Sequence, residues 1–448
     1  MMTEKMTDRI RKKLGTQIGD AKIVSSGDAY ERSRKIWNAR VMHRPDLIVL
    51  CENTADVQAA IKAATIAEMS VSVRAGGHDW AGRSIQGQLV LDVTRLNEIS
   101  IADQTCSIGG GTLTMDLAEV TSAHGLLPVT GVIGGVGVTG LALGGGYGHF
   151  TAKFGLASDN ILGAEVVLAD GRVVQTDANQ EPDLFWAIRG GGGNFGVVTR
   201  LRLQLHKGNN VIDGAVVFPW EEVENVFRAY NSTLTAVPDE LTLKPFFFPG
   251  PDGGPSIVLQ YTWYGDGPEH ERMLETVKQF GRGAVVRLEK RNLAEILREA
   301  EKRATVGISW ITRTVTLPQL SPEAIDIIKQ AMERRPSPRS WIASHPFYGA
   351  GERIAIGATA FGIRSRHQML GIYSVFEPGD ETAHATWADE TEAALTPYAL
   401  PSAYPNYFGA DRPNQAAIGF GPNAKRIVQL KKHYDPEGIF HAISLPPF

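Results

Sequence analysis

The sequence predicts an α+β chain of two domains. Its 448 residues exceed what one compact core organises. The first half alternates short apolar runs with helix-like segments. Near "KGNN" (207–210) the composition shifts to longer strand-like runs interleaved with amphipathic helices.

In order, "DLIVL" (46–50) reads as a strand. "NTADVQAAIKAATIAEM" follows as a helix capped by Asn53 or Thr54, with Val57, Ile61 and Ile66 on its apolar face. "SVSVR" (70–74) completes a βαβ unit. "LVLDVTRL" (89–96) and "CSIGGG" (106–111) are further short strands, and residues 112–124 form a helix ending at Gly125. "ILGAEVVLADGRVVQT" is a hairpin turning at Asp170-Gly171. "PDLFWAI" is a helix. "VVTRLRLQLH" is a half-buried strand with Leu201, Leu203 and Leu205 on its inner face. Beyond 210, "GAVVFPW", "ELTLKPFFF", "SIVLQYTWY", "VGISWITRTVTL" and "QMLGIYSVF" read as strands. Helices are expected near 221–234, 268–280, 322–334 and 383–395. Together they describe a mixed sheet with helices on one face, leaving the other face free to form a wall. "NAKRIVQLKKHYDPEGIF" is a last helix, stopped at Asp435-Pro436.

Composition excludes several classes. Hydrophobic residues make up 43% and charged residues 21%, as in ordinary globular proteins. A net charge of -4 without a basic block argues against nucleic acid. Cys51 and Cys106 have neither metal-ligand spacing nor disulfide density, so no metal is expected. The N-terminus lacks an apolar secretory core, which favours a cytoplasmic location. Val120 to Ala152 carries no Asp, Glu, Lys or Arg, a length exceeding the roughly 20 residues of a membrane span. Ten of its residues are glycine, each costing a helix about 1 kcal/mol. It reads as buried irregular backbone, not as a span.

Three glycine-rich loops carry the functional signal: "RAGGH" (74–78), "GVIGGVGVTGLALGGGYG" (131–148) and "RGGGGNFG" (189–196). Gly135-Val-Gly137-Val-Thr-Gly140 and Gly191-Gly-Gly193-Asn-Phe-Gly196 both fit G-x-G-x-x-G. The first is followed at once by "LALGGG", and the second sits between a helix and a strand, so neither has the strand–turn–helix setting of a Rossmann site. Glycine lets backbone N–H groups approach a large ligand and contact its phosphates. Three such loops suggest backbone wrapped around one extended phosphorylated cofactor.

These residues, in this order, resemble the FAD-linked oxidases of the vanillyl-alcohol-oxidase and p-cresol-methylhydroxylase (PCMH) superfamily, in particular the berberine-bridge-enzyme-like branch. The resemblance runs from "WNARVMHRPDLIVLCENTADVQAAI" through "VRAGGHDWAGRS", "GGGYGHFTAKFGLASDNILGAEVVLADGRVV" and "DLFWAIRGGGGNFGVVT" to "YPNYFG" and "YDPEGIF". It implies a two-subdomain PCMH-type FAD-binding domain over 1–208 and 404–448, and a substrate domain over 209–403. His78 holds the position of the histidine bonded to the flavin 8α-methyl. Arg74, Ala75, Gly76, Gly77, Asp79 and Ser84 belong to the loop expected along the pyrophosphate. Gly137, Thr139, Gly140, Gly144, Gly145 and Gly146 are expected to line the flavin, with Asp159 and Asn160 in the next loop and Gly196 and Val198 further on. Asn406, Tyr407 and Asn423 are expected beside it.

Two departures sharpen the expectation. Many relatives add a cysteinyl bond from a G-x-C-x-x-V-G motif. Here Ile133 stands at the cysteine position, so one histidyl link and no second link is expected. Val136 holds the family's oxygen-gating position, where a small residue accompanies oxidase behaviour. The implied reaction is hydride transfer from an alcohol, sugar or amine carbon to FAD, with O2 as acceptor giving H2O2. The partners expected are a small-molecule substrate and O2, with no nucleic acid and no membrane. A dehydrogenase using a quinone or protein acceptor, and a flavin-binding protein without turnover, are the alternatives. Tyr404 is the first candidate base, activated by a cation drawn from Arg313, Arg364 or Arg366. Tyr373, His345 and Tyr348 are the others. Gly371 occupies a strand position where relatives often carry Glu or Gln. Trp310, Phe247 and Trp263 are candidates for an aromatic cleft or for core.

Overall fold

The computed structural model describes residues 2–208, 211–250, 253–302, 307–412 and 414–447. Three sheets organise the chain. In the first, the order is Ile23–Val24, Leu47–Leu50, Leu89–Asp92, Val71–Arg74, with the last three strands parallel. The strands of the expected βαβ unit, Leu47–Leu50 and Val71–Arg74, are therefore not neighbours. Leu89–Asp92 inserts between them and is buried along its whole length. The crossover helix Thr54–Ile66 is capped as expected: Asn53 Oδ1 accepts from the Asp56 N–H at 2.9 Å. The strand read as 89–96 stops at Asp92, where the carboxylate accepts from the Thr94 N–H and turns the chain.

The second sheet is antiparallel, in the order Ile99–Ala102, Thr105–Gly109, Val197–Lys207, Ile161–Val167, Val173–Thr176. Leu201, Leu203 and Leu205 are buried, whereas Arg200 and Arg202 are exposed. The glycine-rich zone comes as short pieces: the strand Leu126–Pro128, which pairs with the end of Val197–Lys207 as a sixth strand, and the helices Val138–Leu143 and Thr151–Phe154. Among the described residues no helix is long and apolar enough to cross a membrane.

The third sheet has seven antiparallel strands, in the order Ala284–Arg291, Val211–Phe218, Pro255–Tyr264, Leu241–Pro249, Trp341–Phe347, His367–Phe376, Ser309–Leu317. Two of these, Ala284–Arg291 and Trp341–Phe347, escape the sequence reading. The first is mostly exposed and polar, and the second is interrupted by Pro346. The helices Val223–Leu234, Pro322–Glu333 and Glu381–Leu395 cover one face. Phe227, Tyr230, Ile328 and Trp387 pack there on Phe247, Leu259, Tyr261 and Ile372. Because strand side chains alternate, Lys244, Phe246, Ala343, His345, Met369 and Tyr373 point to the opposite face. That face closes on the glycine loops.

Candidate functional site: an FAD cradle roofed by an aromatic sheet

The loop carrying His78 begins where the strand Val71–Arg74 ends. The Arg74 guanidinium bonds Asp92 on the paired strand at 2.8 Å. The chain then lies directly on residues 135–137. A Cβ at Gly76 would stand 2.6 Å from the Gly135 carbonyl oxygen, so only glycine permits this approach. Asp79 fixes the rest of the loop. Its carboxylate accepts from Arg83 at 2.8 Å and from the Ser84 N–H at 2.9 Å. Burial opposes ionisation, but Arg83 and the backbone donors hold the carboxyl below the usual carboxylate range. Arg83 also donates to the carbonyl of Asn406 at 3.1 Å, joining this loop to the "YPNY" segment.

His78 is thereby held against its neighbours. Trp37 stacks on the imidazole at 5.0 Å between centroids, and a Cβ at Gly135 would stand 3.0 Å from its Nε2. Burial pushes its pKa down to about 4, so the ring is neutral at physiological pH. A neutral imidazole retains the lone pair a nucleophile needs.

One cavity of about 1200 Å³ joins the loops to the sheet. Small-molecule sites typically measure about 300–1,000 Å³. This one has room for a large cofactor and a substrate together. Of the residues expected at the cofactor, Ala75, Gly76, Gly77, His78, Asp79, Ser84, Val136, Gly137, Thr139, Gly140, Gly196, Val198, Asn406 and Tyr407 line it. Ile133 lines it as well, whereas Cys51 and Cys106 are buried elsewhere. Burial pushes the Cys106 thiol up to about 12.

The lining suits FAD on two counts. The backbone N–H groups of Gly76, Gly77, His78 and Asp79 find no acceptor among the described residues, and Gly77 has φ 67°. Successive N–H groups around such a turn form an anion-binding nest. In addition, the buried hydroxyls of Ser84 and Thr139 have no hydrogen-bond partner among the described residues. Buried polar atoms are normally paired, so both await a polar ligand.

Other expected residues stand behind the lining. Arg74 is bound to Asp92. Gly144 makes space for Asn406, whose Oδ1 would overlap a Cβ there, while Asn406 Nδ2 donates to the Leu141 carbonyl at 2.9 Å. Gly145 packs on Phe361 and Tyr404, and Gly146 donates its N–H to the Tyr404 hydroxyl at 3.0 Å. Asp159 forms a buried two-pronged pair with Arg364 at 2.7 and 2.8 Å. Asn160 donates to the carbonyls of Phe154 and Leu156, and Asn423 to those of Ile356, Thr359 and Phe361. These six and Arg74 shape the cradle from outside the cavity. The difference arises because short polar side chains in glycine-rich segments cap neighbouring backbone as readily as they bind ligands.

The candidate bases also divide. Tyr404, Tyr373 and His345 line the cavity. Tyr348 does not, because its hydroxyl donates to the Leu241 carbonyl within the helix-covered core. Tyr404 accepts from both Gly146 N–H and Asn406 Nδ2 (2.8 Å). Burial pushes its pKa strongly up. The cation expected to activate it is missing. Arg313 is bound to Asp389 and Asp411, Arg364 to Asp159, and Arg366 to Glu352. Tyr373 and Tyr407 share a hydrogen bond at 3.1 Å, and burial raises both phenols. A Cβ at Gly371 would stand 2.5 Å from Tyr373 Cζ, so the tyrosine ring fills the space a carboxylate would need. Trp310 lines the cavity, whereas Phe247 and Trp263 belong to the core on the other face.

Several lining residues carry no obvious signal in the sequence. Trp37 stacks on Trp310 at 4.4 Å, Trp80 on Tyr407 at 5.5 Å, and Trp341 on Tyr373 at 4.2 Å, giving the sheet an aromatic surface. Tyr147 bonds His367 at 2.6 Å. His149 and Lys244 lie buried at the same wall. Lys244 did leave a trace: it is a lone cation within "LTLKPFFF", and alternation places it with Phe246.

A large cavity with unpaired loop N–H groups on one side, an aromatic sheet on the other and His78 in its lining fits an FAD-dependent oxidoreductase. Comparison with known proteins agrees. A family model described as an FAD binding domain matches residues 45–177, which include the His78 loop and the glycine zone. The chain is 29% identical to (R)-6-hydroxynicotine oxidase of Paenarthrobacter nicotinovorans, over 95% of this chain and 96% of that one. It is 24% identical to glucooligosaccharide oxidase of Sarocladium strictum, over 94% and 91%. The crystal structure of 6-hydroxy-D-nicotine oxidase from Arthrobacter nicotinovorans superposes with a TM-score of 0.85 at 27% identity, covering 95% of this chain and 98% of that one. The berberine-bridge-enzyme-like protein 1 of Physcomitrella patens shares the fold at a TM-score of 0.88 and 23% identity, covering 98% and 99%. The chain thus carries an FAD binding domain and is similar along nearly its whole length to FAD-linked oxidases.

Proposed function

We propose that the protein is an oxidase that carries FAD on His78 through a single covalent link. In this reading it oxidises the C–H bond beside a hydroxyl or amine nitrogen of a small molecule, with O2 as acceptor and H2O2 as product. The observation that carries the proposal is His78 itself: a neutral imidazole, presented by glycine backbone into the cavity that holds the unpaired N–H groups. Bound FAD supplies the hydride acceptor and returns the electrons to O2. Ile133 faces the cavity with an inert side chain, which supports one link. Val136 leaves space at the cavity wall. Its backbone carbonyl is fixed by the Thr114 N–H at 2.9 Å.

On the opposite wall the side chains divide the work. Tyr404 has both acceptor positions occupied, so its proton is available to a substrate oxygen or nitrogen. It acts as donor and orienting group. His345 is half-buried, and desolvation keeps its ring unprotonated, so it is a candidate at this wall to take the O–H or N–H proton. Trp80, Trp310, Trp341 and Tyr373 exclude water and favour a planar or ring-shaped substrate.

Anaerobic mixing with a panel of alcohols, sugars and cyclic amines tests this reading. Bleaching of the flavin by at least one compound is expected, followed on admitting air by rapid return of colour and one H2O2 per turnover. Bleaching that air fails to reverse would indicate a dehydrogenase. No bleaching by any compound would indicate a flavin-binding protein without turnover.

A further inference from the structure

We propose that Lys244, with His149 and His345 beside it, forms an anion pocket that receives the carboxylate of an aromatic substrate. The proposal rests on the oxidase reading only for the identity of the ligand as substrate. The geometry stands apart from it.

Lys244 sits mid-strand in Leu241–Pro249 and is only 6% exposed. Among the described residues no carboxylate or hydrogen-bond acceptor reaches its ammonium. Its contact is the ring of Phe246, 4.8 Å below. A lone buried cation is costly, and structures normally pair it. Here it faces a cavity instead.

Two imidazoles converge on it. Phe246 pairs with Ala343 across the antiparallel strands, so Lys244 and His345, each two residues further along, meet on the same face. His149 arrives from the glycine-rich loop. It is 4% exposed, lines the cavity, and its Nε2 has no partner among the described residues. Burial depresses both rings, and the Lys244 charge at the same wall adds to this. Asp213, a sheet carboxylate lining the same cavity, is already engaged by Arg291 at 3.3 Å and Arg287 at 3.5 Å.

The pocket thus offers an ammonium and an unpaired ring nitrogen, with aromatic surface alongside from Phe246, Trp341 and Tyr373. A carboxylate on a ring satisfies all of these at once: charge to Lys244, acceptor oxygens to His149, and the ring face to the aromatics. Bound there, it also offsets the charge that depresses His345, which makes that imidazole a better proton acceptor.

The test measures binding of benzoate, 4-hydroxybenzoate and phenylacetate against their uncharged amides, by tryptophan fluorescence on the protein as isolated. At least one carboxylate is expected to bind tenfold or more tighter than its amide. Lys244→Met should abolish that preference, Lys244→Arg should largely keep it, and His149→Phe should weaken it severalfold. Equal affinity for acids and amides, no binding by any carboxylate, or a preference that survives Lys244→Met would each overturn the pocket. A Lys244→Met protein with unchanged preference but a lowered flavin midpoint potential would assign the lysine to the flavin. This readout requires no turnover. If the carboxylate preference holds while no compound bleaches the flavin, the oxidase reading fails and the pocket stands.

Discussion

Lys244 shows how much a single buried charge costs when its partner is meant to come from outside. Burial lowers its pKa from 10.5 to about 7. Between these values the unfolded chain binds a proton that the folded chain releases, so this group's penalty is full below about pH 7 and fades as pH rises toward 10.5. Lys244→Met should therefore stabilise the ligand-free protein by roughly 2–4 kcal/mol at pH 7, and the gain should vanish near pH 10–11. Denaturant melts at a series of pH values check this, and a flat difference across the range would contradict it. The same scale shows what the sequence disclosed. His78 was legible because its neighbours are glycines in a recognisable order. Lys244 left only the trace of a lone cation in an apolar strand, and His149 left none, because their role depends on a loop and strands far apart in sequence meeting at one wall.

At the scale of elements, the glycine loops and the helix they start have opposite tolerances. In the His78 loop, a Cβ at Gly76 meets immovable backbone at residues 135–137. Gly76→Ala should cost about 1–3 kcal/mol by overpacking and should also impair flavin retention. Gly140, inside the helix Val138–Leu143, has nothing within 4 Å of its missing Cβ. Gly140→Ala should leave folding unharmed, or improve it by up to about 1 kcal/mol through helix propensity, while narrowing the cavity. Paired melts and bound-flavin absorbance separate the two, and equal stability losses would contradict the geometry. Most elements were readable from alternation and caps, as with the strand Val197–Lys207 and the helix Thr54–Ile66. The helix Leu293–Glu301 was missed although Asn292 and Glu295 form a reciprocal capping box. The strand Ala284–Arg291 was missed because an exposed edge strand lacks the apolar alternation that marks a half-buried one.

For the whole molecule, the arrangement is a clamp. The two N-terminal sheets hold the glycine backbone of the cofactor cradle, and the seven-stranded sheet presses its cavity-side face onto it. Helices on the far face anchor that sheet through Phe227, Tyr230 and Trp387. The class of the fold was legible from the change of composition near 207–210. The order of strands was not, because the insertion of Leu89–Asp92 between Leu47–Leu50 and Val71–Arg74 is decided by burial on both sides. The central claim is that this clamp closes on an FAD tethered by His78 alone. Intact-mass spectrometry after acid denaturation, followed by peptide mapping, tests it most directly. A protein heavier by one FAD is expected, with the added mass on the peptide bearing His78, none on the peptide bearing Ile133, and none at all in His78→Ala. An unmodified protein mass with FAD free in the supernatant, or flavin on any other residue, would contradict it.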